Sequence, residues 1–114
     1  MEYTDNLSQL NPRETLLALN KGLIASGHFK EADIKSRAIA LDTFVIGDSA
    51  KNRAFIYAKL AILSGRSTEI KRTLSANLLD ILKQLCPCPP SIELQLCVDI
   101  VDTDRETYSK MSHS

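Results

Sequence analysis

Residues Phe55 to Leu63 form a near-continuous apolar run broken only by Lys59, and this run restricts the folds open to the chain more than any other feature. It has the length of a strand buried on both faces and is short for a helix. Ser64-Gly65-Arg66-Ser67 interrupts it, with Ser67 placed to cap a following helix. Ile70, Leu74, Leu78, Ile81, Leu82 and Leu85 then fall on one helical face, out to about Cys86. Pro87, Pro89 and Pro90 stop that helix, because proline lacks the N–H and clashes with the preceding turn. Ile92, Leu94, Leu96, Val98 and Ile100 next alternate with Glu93, Gln95, Cys97, Asp99 and Val101, the period of a strand. The second half of the chain therefore reads as strand–helix–strand.

The first half repeats that order with a reduced opening. Only Met1-Glu2-Tyr3-Thr4 precedes Asp5-Asn6, so the first strand is short. Asn11-Pro12-Arg13-Glu14 is a helix start: Asn11 caps, Pro12 suits the first helical position, and Glu14 stands where a capping-box partner belongs. Leu16, Leu19 and Leu23 make an apolar stripe, widened by Leu17 and Ile24, and Gly27 can take the left-handed conformation past the last turn. The spacing predicts a helix over about 12–26. Ile34 to Leu41 reads as a strand with one charged end, Lys35, Arg37, Ile39 and Leu41 sharing a face.

Two such units side by side predict an α/β two-layer fold: a four-stranded sheet with two helices on one face, since each crossover is right-handed. The single domain spans 1–103, with repeats at about 1–46 and 54–103, followed by a polar tail over 104–114 that is expected to fray. The other sheet face is left apolar and open, which a monomer tolerates poorly, so an oligomer is expected.

Charge narrows the function. Fourteen Lys and Arg balance 14 Asp and Glu, which argues against a nucleic-acid or anionic-membrane surface. No apolar run reaches the roughly 18 residues of a membrane span, and no basic-plus-apolar leader is present; a cytoplasmic protein is expected. Three cysteines make a disulfide framework unexpected. Cys86-Pro87-Cys88 is too closely spaced for a zinc knuckle and reads as a helix end with a Pro-rich loop. There is no G-x-S-x-G, no phosphate-binding Gly loop and no H-E-x-x-H, so any catalysis is expected to need neither metal nor nucleotide.

Three cations are candidate binding residues. Arg66 lies between the C-terminal end of a strand and a helix N-terminus, where free N–H groups and the helix dipole favour an anion and a guanidinium can grip a carboxylate bidentately. The plainer alternative is a solvated loop arginine. Lys35 and Arg37 repel each other unless an anion lies between them, which suggests a second carboxylate site. Pairing with Glu31 or Asp33, or simple exposure, is the plainer alternative there.

The runs Leu23-Ile24-Ala25-Ser26-Gly27-His28-Phe29, Ile34-Lys35-Ser36-Arg37, Ala54-Phe55-Ile56-Tyr57 and Ile62-Leu63-Ser64-Gly65-Arg66-Ser67, with Glu2 to Leu7 ahead of them, resemble the 5-carboxymethyl-2-hydroxymuconate delta-isomerases of the tautomerase superfamily. The resemblance runs from about Met1 to Ile100. It implies two strand–helix–strand units per subunit, a homotrimer, and a cofactor-independent isomerase that moves a proton along a dienol carboxylate in aromatic catabolism. It also implies that Arg66, Lys35 and Arg37 hold the carboxylates of a small substrate; Lys35 keeps the charge but lacks the guanidinium fork.

The family's base is an N-terminal proline, expected about four residues ahead of Met1, and the sequence contains none there. At about 3.3 Å per residue its amine would lie roughly 13 Å from that of Met1. Two expectations follow. Either the chain begins at an internal Met and an upstream Met-Pro completes an isomerase, or catalysis has been lost and a trimeric anion- or partner-binding module of the same fold remains.

Overall fold

The computed structural model describes all 114 residues. The elements are strand β1 (Glu2–Thr4), helix α1 (Pro12–Ala25), a 3-10 turn (Glu31–Asp33), β2 (Ile39–Leu41), β3 (Arg53–Leu63), α2 (Thr68–Leu85) and β4 (Glu93–Thr103). They form a four-stranded mixed sheet in the order β2-β1-β3-β4 with two helices. Within each unit the two strands are parallel, β1 with β2 and β3 with β4, and the units join antiparallel through β1 and β3.

The expected helix caps form, but the Glu14 side chain makes no return hydrogen bond to the Asn11 N–H, so the capping box is only half closed. The Asn11 side chain accepts from the Glu14 N–H at 3.1 Å, and that of Ser67 from the Ile70 N–H at 3.2 Å. Each satisfies one of the donors that a helix start leaves open. Gly27 follows α1 with φ +80°, a conformation open to glycine at little cost. No helix is long and apolar enough to cross a membrane.

One core joins the units. Leu19 and Leu23 of α1, Leu74, Leu78 and Leu82 of α2, and Ala54, Ile56 and Ile62 of β3 are all buried together, so both helices cover the same sheet face. At their crossing a Cβ on Gly22 would stand 2.5 Å from Ile81 Cδ1, so the helices approach as closely as a missing side chain allows.

Three expectations need correction. The strand expected over Ile34–Leu41 is confined to Ile39–Leu41; residues 34–38, with Lys35 and Arg37, are irregular. The reason is the partner: β1 has three residues, which match only Ile39, Ala40 and Leu41 in register, and a strand without a ladder is not held extended. β3 is buried on its helix-facing side alone, and its other side carries half-buried Phe55 and Tyr57 with exposed Lys59 and Ala61. That open sheet face is accordingly mixed rather than apolar. Tyr57 donates its hydroxyl to Asp99, which lies on the same face.

The ends of β3 and β4 are tied by charge. Glu93 accepts from Arg53 Nε at 3.1 Å and pairs with Lys51 at 3.3 Å. The hydrogen bond from Arg53, then Lys51, holds the Glu93 carboxyl below the usual range. A depressed carboxyl contributes stability above its unfolded pKa, about 4.3, and loses it as pH falls through the lower folded value. Urea midpoints are therefore expected to drop between about pH 5 and pH 3, and Glu93→Gln to flatten part of that drop. An unchanged acid limb in Glu93→Gln would show that the pair contributes nothing.

Candidate substrate-binding cleft

β1 pairs with β3 only at Tyr57 and Ile56, so the edge of β3 from Ala58 to Leu63 has no strand beside it. Across from that edge run residues 34–38. Between them lies a cleft of about 830 Å³. Two strand spacings separate the strands flanking β1, so the opening is one strand wide, about 10 Å between backbones. Leu16, Leu19 and Leu23 of α1 lie along its helical side.

The cleft collects Arg66, Lys35 and Arg37 along its walls, Arg66 from the second unit and the other two from the first. Arg66 is half-buried. Its Nη2 donates to the His28 carbonyl at 2.8 Å, its Nη1 to the Leu63 carbonyl at 3.4 Å, and its guanidinium carbon lies 4.8 Å from the Phe29 ring centroid. Two of five N–H donors are thereby used and the rest are free for a ligand. The turn that presents it depends on Gly65, whose φ of +122° would strain any side chain. Lys35 Nζ donates to the Asp33 carbonyl at 3.1 Å, so it neither shares a strand face with Arg37 nor pairs with a carboxylate.

Further cations join these three. Lys30, Lys59 and Lys110 also line the cleft, giving it six of the chain's 14 Lys and Arg but only two carboxylates, Glu2 and Asp33. Only Arg66 of the six is half-buried; Lys35 and Arg37 are exposed, as the plainer alternative had them, so the cationic excess attracts anions through a field that solvent and salt screen. The Met1 ammonium donates to the Arg37 carbonyl at 2.8 Å, and burial, then Arg37, lowers its pKa from the usual amine value.

Sequence reasoning singled out neither Phe29 as the platform for Arg66 nor the tail as a wall. Only the interruption of the apolar run pointed to Lys59. The tail is not frayed at its start. Arg105 donates from its backbone N–H to Ser64 Oγ at 3.1 Å and from Nε to the Ser64 carbonyl at 3.0 Å, and Lys110 pairs with Asp33.

A family model described as 5-carboxymethyl-2-hydroxymuconate isomerase matches residues 1–113. No curated protein matches the sequence. Among solved structures, a 5-carboxymethyl-2-hydroxymuconate isomerase from Deinococcus radiodurans R1 superposes with a TM-score of 0.86 at 28% identity, over 98% of this chain and 86% of that one. An FG41 malonate semialdehyde decarboxylase inhibited by 3-bromopropiolate gives 0.66 at 16% identity, over 99% and 88%. A fused 4-OT described as a symmetric trimer gives 0.67 at 18% identity, over 96% and 90%. These last two share the fold.

Proposed function

Because the chain belongs to the 5-carboxymethyl-2-hydroxymuconate isomerase family and has the tautomerase fold, we propose that its cleft binds a 2-hydroxymuconate-type dienol carboxylate, 5-carboxymethyl-2-hydroxymuconate or a close analogue, and ketonises it. The observation that carries this reading is the convergence of Arg66, Lys35 and Arg37 on one cleft with an apolar side. In the reaction a base takes the 2-hydroxyl proton, the electron pair moves along the conjugated chain, and a proton is returned to carbon at its far end. Arg66 grips the carboxylate beside the enol and stabilises the charge that develops on the oxygen. Lys35 and Arg37 hold a second carboxylate across the gap.

The proposed base is a secondary amine brought in by upstream residues. Continuing the two β1 registers backward puts the fourth residue before Met1 between Ile62 and Ile34, beside Lys35 and near the Arg66 turn. A proline there has the clamp at hand, and desolvation and neighbouring cations would lower its pKa toward working pH. Assembly into a homotrimer is part of the same reading. It is supported by Val45, 86% exposed, and Ile39, 53% exposed, which a second copy would cover.

The test is an assay of 2-hydroxymuconate ketonisation by the chain as it stands and by a version headed by Pro and three further residues. The extended version is expected to turn over and the shorter one to fall near the uncatalysed rate. Carboxylate binding by both without turnover by either would instead favour the non-catalytic binding module, and absence of both overturns the reading.

A further inference from the structure

The C-terminal tail crosses the mouth of the cleft in a form that goes beyond packing. Its root is firm: Arg105 makes two hydrogen bonds to Ser64, and the Thr107 N–H donates to the Asp104 carbonyl at 3.2 Å in the turn that follows. Further along, the tail is held by one ion pair, Lys110 to Asp33. Between these points Tyr108 is 47% exposed, yet both Tyr108 and Lys110 line the cleft.

The latch partner is equally placed. Asp33 ends the 3-10 turn whose carbonyl receives Lys35 Nζ, so the carboxylate and a proposed substrate cation share one short segment. Asp33 is one of two carboxylates among the cleft's six cations. Its ordinary role as a counter-ion is taken by Lys110, while Arg37 and Arg66 have no carboxylate partner. An exposed ion pair is weakly coupled and open to exchange.

We propose that Lys110 is a further ligand for a substrate carboxylate, and that Asp33 occupies it while the cleft is empty. The entering carboxylate displaces that of Asp33, and the tail draws over the bound molecule from its Ser64 root. This rests on the reading of the cleft as a carboxylate site, not on catalysis. It makes the tail a selector for acids long enough to reach from Arg66 to the Asp33 turn.

The decisive feature is a difference in sign. A mere staple between tail and turn is weakened by removing either partner, so both substitutions would act alike. A ligand held back by a competitor behaves differently. The affinity of cis,cis-muconate, a six-carbon dicarboxylate with no enol to react, is measured by calorimetry on the full chain, on Lys110→Met and on Asp33→Asn. Lys110→Met is expected to weaken binding about tenfold, as for loss of a charge-assisted hydrogen bond, and Asp33→Asn to tighten it roughly threefold. Muconate binding that moves the same way in both variants, or in neither, or that Glu2→Gln at the cleft's other carboxylate tightens as much as Asp33→Asn does, overturns the proposal and leaves the carboxylate site standing. No muconate binding by the full chain overturns both. Thermal midpoints of the two variants, measured without ligand, exclude unfolding as the cause.

Discussion

If the proposed reaction is right, Arg66→Met is expected to lower kcat/KM for dienol ketonisation by about a hundredfold or more in the proline-headed protein, because it removes the donor proposed to meet the charge developing on oxygen. The side chain is held from three directions by the His28 carbonyl, the Leu63 carbonyl and the face of Phe29. A guanidinium fixed in this way loses little rotamer freedom when a ligand arrives, so its remaining donors act preorganised. Met fills similar volume along Phe29 without charge. Arg66→Lys separates charge from geometry: it restores the former, lacks the fork, and should recover only part of the loss. Loss of the hydrogen bonds to two carbonyls also affects the loop at His28, so thermal midpoints of the variants accompany the kinetics. A kcat/KM within threefold of the unsubstituted protein, with the fold intact, would remove Arg66 from the mechanism.

The largest expected loss of stability comes from Ile56→Ala, about 3 kcal/mol in urea unfolding at fixed protein concentration. Ile56 has no exposed surface and sits in a cross-sheet row with Tyr3 of β1 and Leu96 of β4, facing the helices. Truncation there removes transfer free energy and leaves a void walled by two helices and three strands, which collapse poorly onto it. Against a usual total of 5–15 kcal/mol this is a large share, and the thermal midpoint is expected to fall by more than about 10 °C. Because β1 meets β3 at only two residues, the same substitution loosens the wall of the cleft. A loss below 1 kcal/mol would mean that the core closes around the gap.

Much of this architecture was legible because its determinants are local. Asn11 with Pro12, and Ser67, announce helix starts through donors that only a capping side chain satisfies. The alternation from Ile92 to Ile100 identifies β4, since period-2 patterning puts one set of side chains on the helices. Arg66 was legible as a cleft residue for a similar reason: a Gly turn between strand end and helix start opens to ligands in such folds. What escaped depends on partners remote in sequence. Residues 34–38 carry a strand's pattern, yet extended backbone needs a ladder, and the segment beside them ends at Met1. Nothing in the pattern of Tyr108 or Lys110 says that a polar tail returns to the Asp33 turn. The stacking of Phe29 on Arg66 joins two loops whose adjacency is decided by how the units dock. The open sheet face looked apolar because Tyr57 and Cys97 count as hydrophobic, whereas Lys59 and Asp99 beside them give it polar ground.

The bare edge of β3 from Ala58 to Leu63 has a consequence for solubility. Exposed N–H and C=O rows on an apolar strand ordinarily recruit other sheets and seed fibrils. Here the row is sunk in a trench, with residues 34–38 as its far bank and the tail across one end. The gap beside that row is one strand wide, so a single extended segment is what would pair with it.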